Sequence, residues 1–206
     1  MNAQIDLIAI PFSYLIGSIP VGLIIGKLIS GIDIRKHGSQ STGATNALRV
    51  LGTKSAILVL ILDVLKGIIP IYCLILMTDI KSTNPIIIPL CGIGIIFGHN
   101  WPVFAGFKGG KGVASALGIA YILNPLSALI ALLTFLPILL GTKYVSLGSI
   151  IAALTTSIII ILQSIPETNS FNFIYACIVG PLIILKHHEN IRKLLNGTER
   201  KIGEKA

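Results

Sequence analysis

Residues 55–78 read SAILVLILDVLKGIIPIYCLILMT. Two residues in this stretch, Asp63 and Lys66, are charged, and the rest are overwhelmingly apolar. A helix needs about 20 apolar residues to cross the hydrocarbon of a bilayer, so this stretch predicts a membrane span. The two charges are three apart and share a helix face. Unpaired charges at that depth are costly, so they are expected to pair and to face the bundle interior. A structural role for the pair is favoured over a catalytic one.

The rest of the chain has the same character. Of its 206 residues 53% are hydrophobic and only 12% charged; the mean hydropathy is +0.89. A soluble domain cannot cover that much apolar surface with so few charges. Further spans are predicted at about 4–26, 85–99, 112–124, 126–141, 147–164 and 171–186, which makes about seven. Asn124-Pro125 breaks the fourth from the fifth; merging those two would give six. The first run lacks the basic start and small-residue cleavage site of a removable signal and reads as a retained span. The fold class is all-α membrane protein, one integral domain over 1–206.

Charge sets the orientation. With seven spans, fourteen of the sixteen Lys and Arg residues fall on one side, Lys66 lies inside a span, and only Lys81 falls opposite. The positive side is cytoplasmic, so the N-terminus is expected outside and the C-terminus inside. The acidic loop residues Asp79 and Glu167 then fall outside. The net charge of +8 fits an anionic inner leaflet and anionic substrates. No nucleic-acid partner is expected, because basic and aromatic residues are not interleaved in any long polar segment. Cys73, Cys91 and Cys177 all lie in apolar stretches and are expected to be buried hydrophobes. The two halves show no repeat of the kind many transporters carry.

The polar, glycine-rich segments, at about 31–52, 98–114, 142–147 and 186–206, all fall on the predicted cytoplasmic side. In the first, Gly38-Ser39-Gln40-Ser41-Thr42-Gly43-Ala44-Thr45-Asn46 combines glycines, hydroxyls and amides. Backbone N–H groups at glycines approach an anion closely, and a helix entered near Thr45 favours phosphate at its N-terminus. Arg49, one turn on, offers a bidentate fork. A plain loop has the same composition, so the two readings stand level here. The P-loop pattern is absent. In the second segment, Lys108-Gly109-Gly110-Lys111-Gly112 places two cations around a flexible hinge. A positive flank alone has no need of the glycines. His99 and Trp101 read as interfacial anchors, Trp101 the more strongly. Thr142–Leu147, with Tyr144 and Ser146, reads as an interfacial turn. In the last segment His187 and Asn190 share a helix face where the final span meets the cytoplasm. Arg192 and Lys193 read as a solvated tail.

Taken in order, these segments resemble the acyl-phosphate-dependent glycerol-3-phosphate acyltransferases of bacteria. The resemblance runs nearly end to end: Gly17-Ser18-Ile19-Pro20, then D-I-R-x-x-G-S and G-A-T-N-x-x-R, Asp63-x-x-Lys66-Gly67, G-H-x-x-P-x-F, F-K-G-G-K-G-V-A, Y-V-S-L, and H-x-E-N-I with L-x-G-T-E. It implies seven helices in the bacterial inner membrane and an active site open to the cytoplasm. The implied reaction moves a fatty acyl group from acyl phosphate to glycerol 3-phosphate, giving lysophosphatidic acid for phospholipid synthesis. Neither acyl-CoA nor acyl carrier protein serves as donor, and the soluble enzyme that makes acyl phosphate is an implied partner. The resemblance carries catalytic and glycerol 3-phosphate contacts onto Arg49, Lys108, Ser146, His187 and Asn190. It makes Gly38, Ser39, Gly43, Ala44, Thr45 and Asn46 the acyl-phosphate cradle. The family loop reads G-S-G-N-x-G and this one G-S-Q-S-T-G, so a positive φ at Gln40 would be strained.

A mixed anhydride is already activated, so positioning and charge neutralisation are the main requirements. The proton is expected to go to the donor phosphate rather than to His187, since no carboxylate is obviously placed to orient that ring. No cofactor or metal is expected, as Asp33, Asp63 and Glu189 are too scattered for a cluster. No acid stands five residues after His37, His99, His187 or His188, which excludes an H-x-x-x-x-D acyltransferase. The alternative class is a transporter of phosphorylated solutes.

Overall fold

A computed structural model describes residues 2–77, 84–166 and 171–204. Asp79, Lys81, Glu167 and Lys205, used above for the charge argument, lie outside the described residues. The described chain is all helical: α1 (Asn2–Gly17), α2 (Val21–Ser30), α3 (Ala44–Leu51), α4 (Thr53–Met77), α5 (Ile87–Asn100), α6 (Val113–Leu123), α7 (Pro125–Thr142), α8 (Val145–Ser164), α9 (Asn172–Lys186) and α10 (His188–Leu195).

Among the described residues five apolar stretches are long enough to cross a membrane: Ile8–Ser30, Thr53–Met77, Ile87–Ala105, Pro125–Thr142 and Val145–Ser164. Val113–Leu123 and Asn172–Lys186 are apolar but shorter. Their outer faces carry Leu76, Leu133, Leu140 and Leu162 in the open, as lipid-facing helices do. The first span is not one helix. Pro20 lacks the N–H that would continue α1, so the chain breaks after Gly17 and restarts at Val21. Asn124 separates α6 from α7 by capping, its Oδ1 accepting the Ser127 N–H at 2.9 Å. The predicted turn at 142–147 is shorter than expected, because α8 already begins at Val145.

The helices meet through small residues. A side chain on Gly67 of α4 would strike the Ser115 carbonyl of α6, and one on Gly118 of α6 would strike the Val64 carbonyl of α4. This reciprocal contact draws the two backbones together, as helix pairs in lipid require.

Two expectations need correction. Only Cys91 is buried; Cys73 and Cys177 lie on exposed apolar faces, where a thiol is as tolerable as in a core. His99 is no interfacial anchor: it is 5% exposed, with Nδ1 3.6 Å from Asp63 Oδ1. Trp101 is half-buried, its ring beside the exposed Phe97 and under the Lys186 ammonium, its carbonyl accepting from the Tyr14 hydroxyl at 2.8 Å. The Asp63–Lys66 pair forms: Lys66 Nζ lies 2.8 Å from Asp63 Oδ1 and donates to the Ile19 carbonyl at 3.2 Å.

Candidate active site

The 38–46 loop is shaped from inside by Asn46. Its Oδ1 accepts the Ser39 N–H at 2.7 Å, and its Nδ2 donates to the carbonyls of Ile34 and Ser41, each at 2.8 Å. Asn46 is fully buried, and Gly38 turns over it at φ +60°, where a Cβ would run into Oδ1. Both residues thus build the cradle rather than line it. Ser39, Gly43, Ala44 and Thr45 do line a cavity of about 360 Å³, and the first turn of α3 opens toward it.

Gln40 sits at φ +57°. A non-glycine residue in the left-handed region costs about 1–3 kcal/mol, and glycine gives back about 0.5–1 kcal/mol in chain entropy. Gln40→Gly is therefore expected to stabilise the chain by about 1 kcal/mol. Thermal unfolding in detergent checks this, and a lowered Tm would contradict the strain.

Four elements complete the polar end. Arg49 comes from α3, Ser146 from the first turn of α8, and His187 and Asn190 from the α9–α10 junction. The fourth element is the glycine loop before α6, and it presents Lys111, not Lys108. Lys111 Nζ meets Asn190 Oδ1. Lys108 is exposed and does not wall the cavity. The loop lies flat on the end of α5, where the Gly110 N–H donates to the His99 carbonyl at 3.1 Å.

A carboxylate that sequence reasoning left unassigned sits at the centre. Glu199 Oε1 accepts from Ser146 Oγ and from Asn190 Nδ2, each at 2.7 Å. It arrives because Gly197, at φ +68°, turns the chain back after α10, and the Ile202 N–H donates to the Lys143 carbonyl at 2.8 Å. Its signal was present in the L-x-G-T-E motif, but nothing local ties that motif to Ser146, 53 residues away.

Burial sets the protonation states. It pushes the Lys111 ammonium down to about 8, partly opposed by Glu199 and Glu189. It pushes His187 down to about 4, and the charge of Lys111 adds to this. His187 Nδ1 lies 2.8 Å from the Ile183 carbonyl, which only accepts, so Nδ1 carries the proton. In the neutral ring Nε2 is then a bare acceptor. No group of three His, Cys, Asp or Glu suited to a metal occurs among the described residues.

The polar end continues into an apolar one, walled by Leu132, Phe135, Ile160, Tyr175 and Val179 among others. A larger apolar groove of about 750 Å³ between α1, α2 and α4 shares none of the site residues.

Residues 7–197 match the glycerol-3-phosphate acyltransferase family. The chain belongs to the glycerol-3-phosphate acyltransferase family. The glycerol-3-phosphate acyltransferase of Halalkalibacterium halodurans is 41% identical over 94% of this chain and 93% of its own. That of Aquifex aeolicus is 43% identical over 92% and 95%. Crystal structures of PlsY, an integral membrane glycerol 3-phosphate acyltransferase, superpose with TM-scores of 0.85 (glycerol 3-phosphate form, 42% identical) and 0.82 (lysophosphatidic acid form, 41% identical). The first match covers 96% of each chain. As a glycerol-3-phosphate acyltransferase family member the chain is an integral membrane acyltransferase of lipid synthesis.

Proposed function

We propose that the chain transfers a fatty acyl group from acyl phosphate to glycerol 3-phosphate, releasing lysophosphatidic acid and inorganic phosphate. The supporting observation is a single cavity with cations and a helix N-terminus at one end and hydrocarbon at the other. That arrangement suits an amphipathic donor whose phosphate lies on the α3 cradle, with the Ser39 hydroxyl and the Ala44 and Thr45 N–H groups as donors. Arg49, Lys111, Ser146 and Asn190 are left for glycerol 3-phosphate. Arg49 and Lys111 bring two positive charges and Glu199 removes one, so two phosphate groups leave the cavity short of cations. Lys108, three residues before Lys111, supplies the next.

In the reaction the glycerol hydroxyl oxygen attacks the acyl carbonyl carbon. The ester C–O bond forms as the carbonyl-to-phosphate C–O bond breaks, and the electron pair leaves with phosphate. The hydroxyl proton goes to that phosphate. A phosphate oxygen has a second pKa of about 6, so it is a better base than a ring held near 4. His187 Nε2 accepts a hydrogen bond from the second, non-reacting hydroxyl of glycerol 3-phosphate and so aims the reacting one.

His187→Gln, whose amide oxygen accepts in the same way, is therefore expected mainly to raise KM for glycerol 3-phosphate. One hydrogen bond of about 0.5–1.5 kcal/mol corresponds to roughly 2- to 13-fold. In the wild type kcat/KM should show no acidic limb from this ring until pH falls toward 4. A loss of kcat by about 10²–10⁴-fold with KM unchanged would make His187 the general base.

The site is proposed to face the cytoplasm of a bacterial inner membrane, with seven spans, the N-terminus outside and the C-terminus inside. Soluble acyl phosphate synthesis would then deliver donor to the same face. Single-cysteine reporters at Lys81 and Gly197 test this in intact cells. An impermeant thiol reagent should label only the first; labelling of the second reverses the orientation.

Activity of the purified protein with acyl phosphate against acyl-CoA tests the donor. Turnover with acyl phosphate alone is expected, and equal use of acyl-CoA would overturn the assignment. Transfer in detergent also separates the enzyme from a transporter of phosphorylated solutes, which needs a sealed compartment.

A further inference from the structure

Gly109 and Gly110, between the two loop lysines, lie against the end of α5 at close range. Neither has the positive φ that glycine alone accepts readily. What keeps both positions glycine is contact. A Cβ on Gly109 would strike the His99 carbonyl and Pro102, and one on Gly110 would overlap the His99 ring, meeting Nε2 first. The Gly110 N–H closes the contact by donating to the His99 carbonyl at 3.1 Å. The ring has little room to give way. It is buried, and its other edge, Nδ1, faces Asp63 Oδ1 at 3.6 Å, an oxygen itself held by Lys66 at 2.8 Å. The loop thus rests on a packed stack built from α4 and α5. Lys111 is the next residue, and its ammonium meets Asn190 of α10. Gly112 follows at φ +85°, over the side chain of Asn100.

We propose that His99 is a positioning residue: its ring is the seat that holds Lys111 in the cavity wall, and Gly109 and Gly110 serve that contact rather than flexibility. This rests on the glycerol 3-phosphate reading above. A misplacement of about 1 Å in a substrate-binding group can cost about 100-fold in rate, so the height of the seat matters.

The test pairs two substitutions in purified protein. Gly110→Ala lifts the loop off the ring. It should lower kcat/KM toward the loss of one charged hydrogen bond, roughly 10- to 150-fold, mostly through a raised KM for glycerol 3-phosphate. His99→Ala makes room for the added Cβ. Combined with Gly110→Ala it should regain about tenfold, so a change that is harmful alone becomes helpful. Gly118→Ala, which meets the Val64 carbonyl instead, should gain nothing from His99→Ala, and an equal gain there overturns the seat. Losses that simply add overturn it too. Where Gly110→Ala does not fold, recovery of folding in the double variant gives the same answer. A loss of kcat in His99→Ala with KM unchanged overturns positioning and puts the ring in the chemistry.

A second readout follows the lysine itself and needs no substrate. Burial holds the Lys111 ammonium near 8. The charged and titratable groups around it, Arg49, His187, Glu189, Lys193 and Glu199, stand on other elements. In His99→Ala the loosened loop admits water, so the midpoint should rise toward the ordinary lysine value. The pH dependence of amine labelling at Lys111, followed by mass spectrometry, measures it, and an unmoved midpoint overturns the seat. If the wild type neither binds nor turns over glycerol 3-phosphate, that reading fails instead. The labelling midpoint and the folding of the double variant then decide the seat by themselves.

Discussion

Lys111→Ala and Lys108→Ala are each expected to lower kcat/KM by roughly 10- to 150-fold, the loss of one charged hydrogen bond of about 1.5–3 kcal/mol. The two lysines should differ in every other respect. Lys111 is inside the cavity wall, its ammonium already against Asn190. Its acidity, near 8, places a titration in the working range. On the proposed function the cation binds phosphate, so kcat/KM should be full below pH 8 and fall as pH rises through it. Lys111→Ala removes that alkaline limb, and Lys111→Arg, which stays charged, shifts it out of range. Lys108 is exposed, so its contribution is screened and should shrink as salt rises. Steady-state rates against pH and ionic strength check both. Unchanged kcat/KM in Lys108→Ala would leave Lys111 as the only loop lysine in the site. Unchanged kcat/KM in Lys111→Ala would remove the cavity wall from the chemistry.

How much of this was legible in the sequence depends on distance along the chain. The apolar runs gave the helices to within a few residues, since hydropathy and Asn124-Pro125 are local signals. The break at Pro20 has a local signal in the proline itself, but the run's hydropathy is continuous across it and masks the break. The 38–46 loop was open to two readings, a plain loop or an anion cradle, and the role of Asn46 was legible in neither. Composition marks an amide as a possible ligand, and only the fold shows both its polar ends spent on Ser39, Ile34 and Ser41. Choosing Lys111 over Lys108 for the wall required knowing how the glycine loop lies on the end of α5. Glu199 joins Ser146 and Asn190 through a chain reversal after α10, which no periodicity reveals. For the same reason His99 was read as an anchor. Its partner, Asp63, comes from another helix 36 residues earlier.

Asp63→Asn is expected to destabilise the folded protein by about 3–5 kcal/mol, because it leaves the Lys66 ammonium buried without its counter-charge. Lys66 is 8% exposed, and Asp63 1%. The Ile19 carbonyl is its other partner, and a carbonyl dipole does not replace a carboxylate. His99 sharpens the expectation. Asp63 Oδ1 faces both Lys66 Nζ and, at 3.6 Å, His99 Nδ1 of α5, while Lys66 reaches the α1–α2 break through the Ile19 carbonyl. The reverse change, Lys66→Gln, strands the carboxylate and should cost a similar amount. The double change Asp63→Asn/Lys66→Gln puts two neutral amides where the ion pair was. It should recover much of the loss, which is the signature of coupling rather than of two independent defects. Thermal unfolding in detergent measures all three. Asp63 and His99 also line the reaction cavity, so turnover must be measured on the folded fraction. A structural pair predicts that the single variants lose Tm more than they lose kcat per folded molecule. Normal Tm with abolished kcat in Asp63→Asn would place the carboxylate in the chemistry and make His99, the histidine it faces, the next residue to replace.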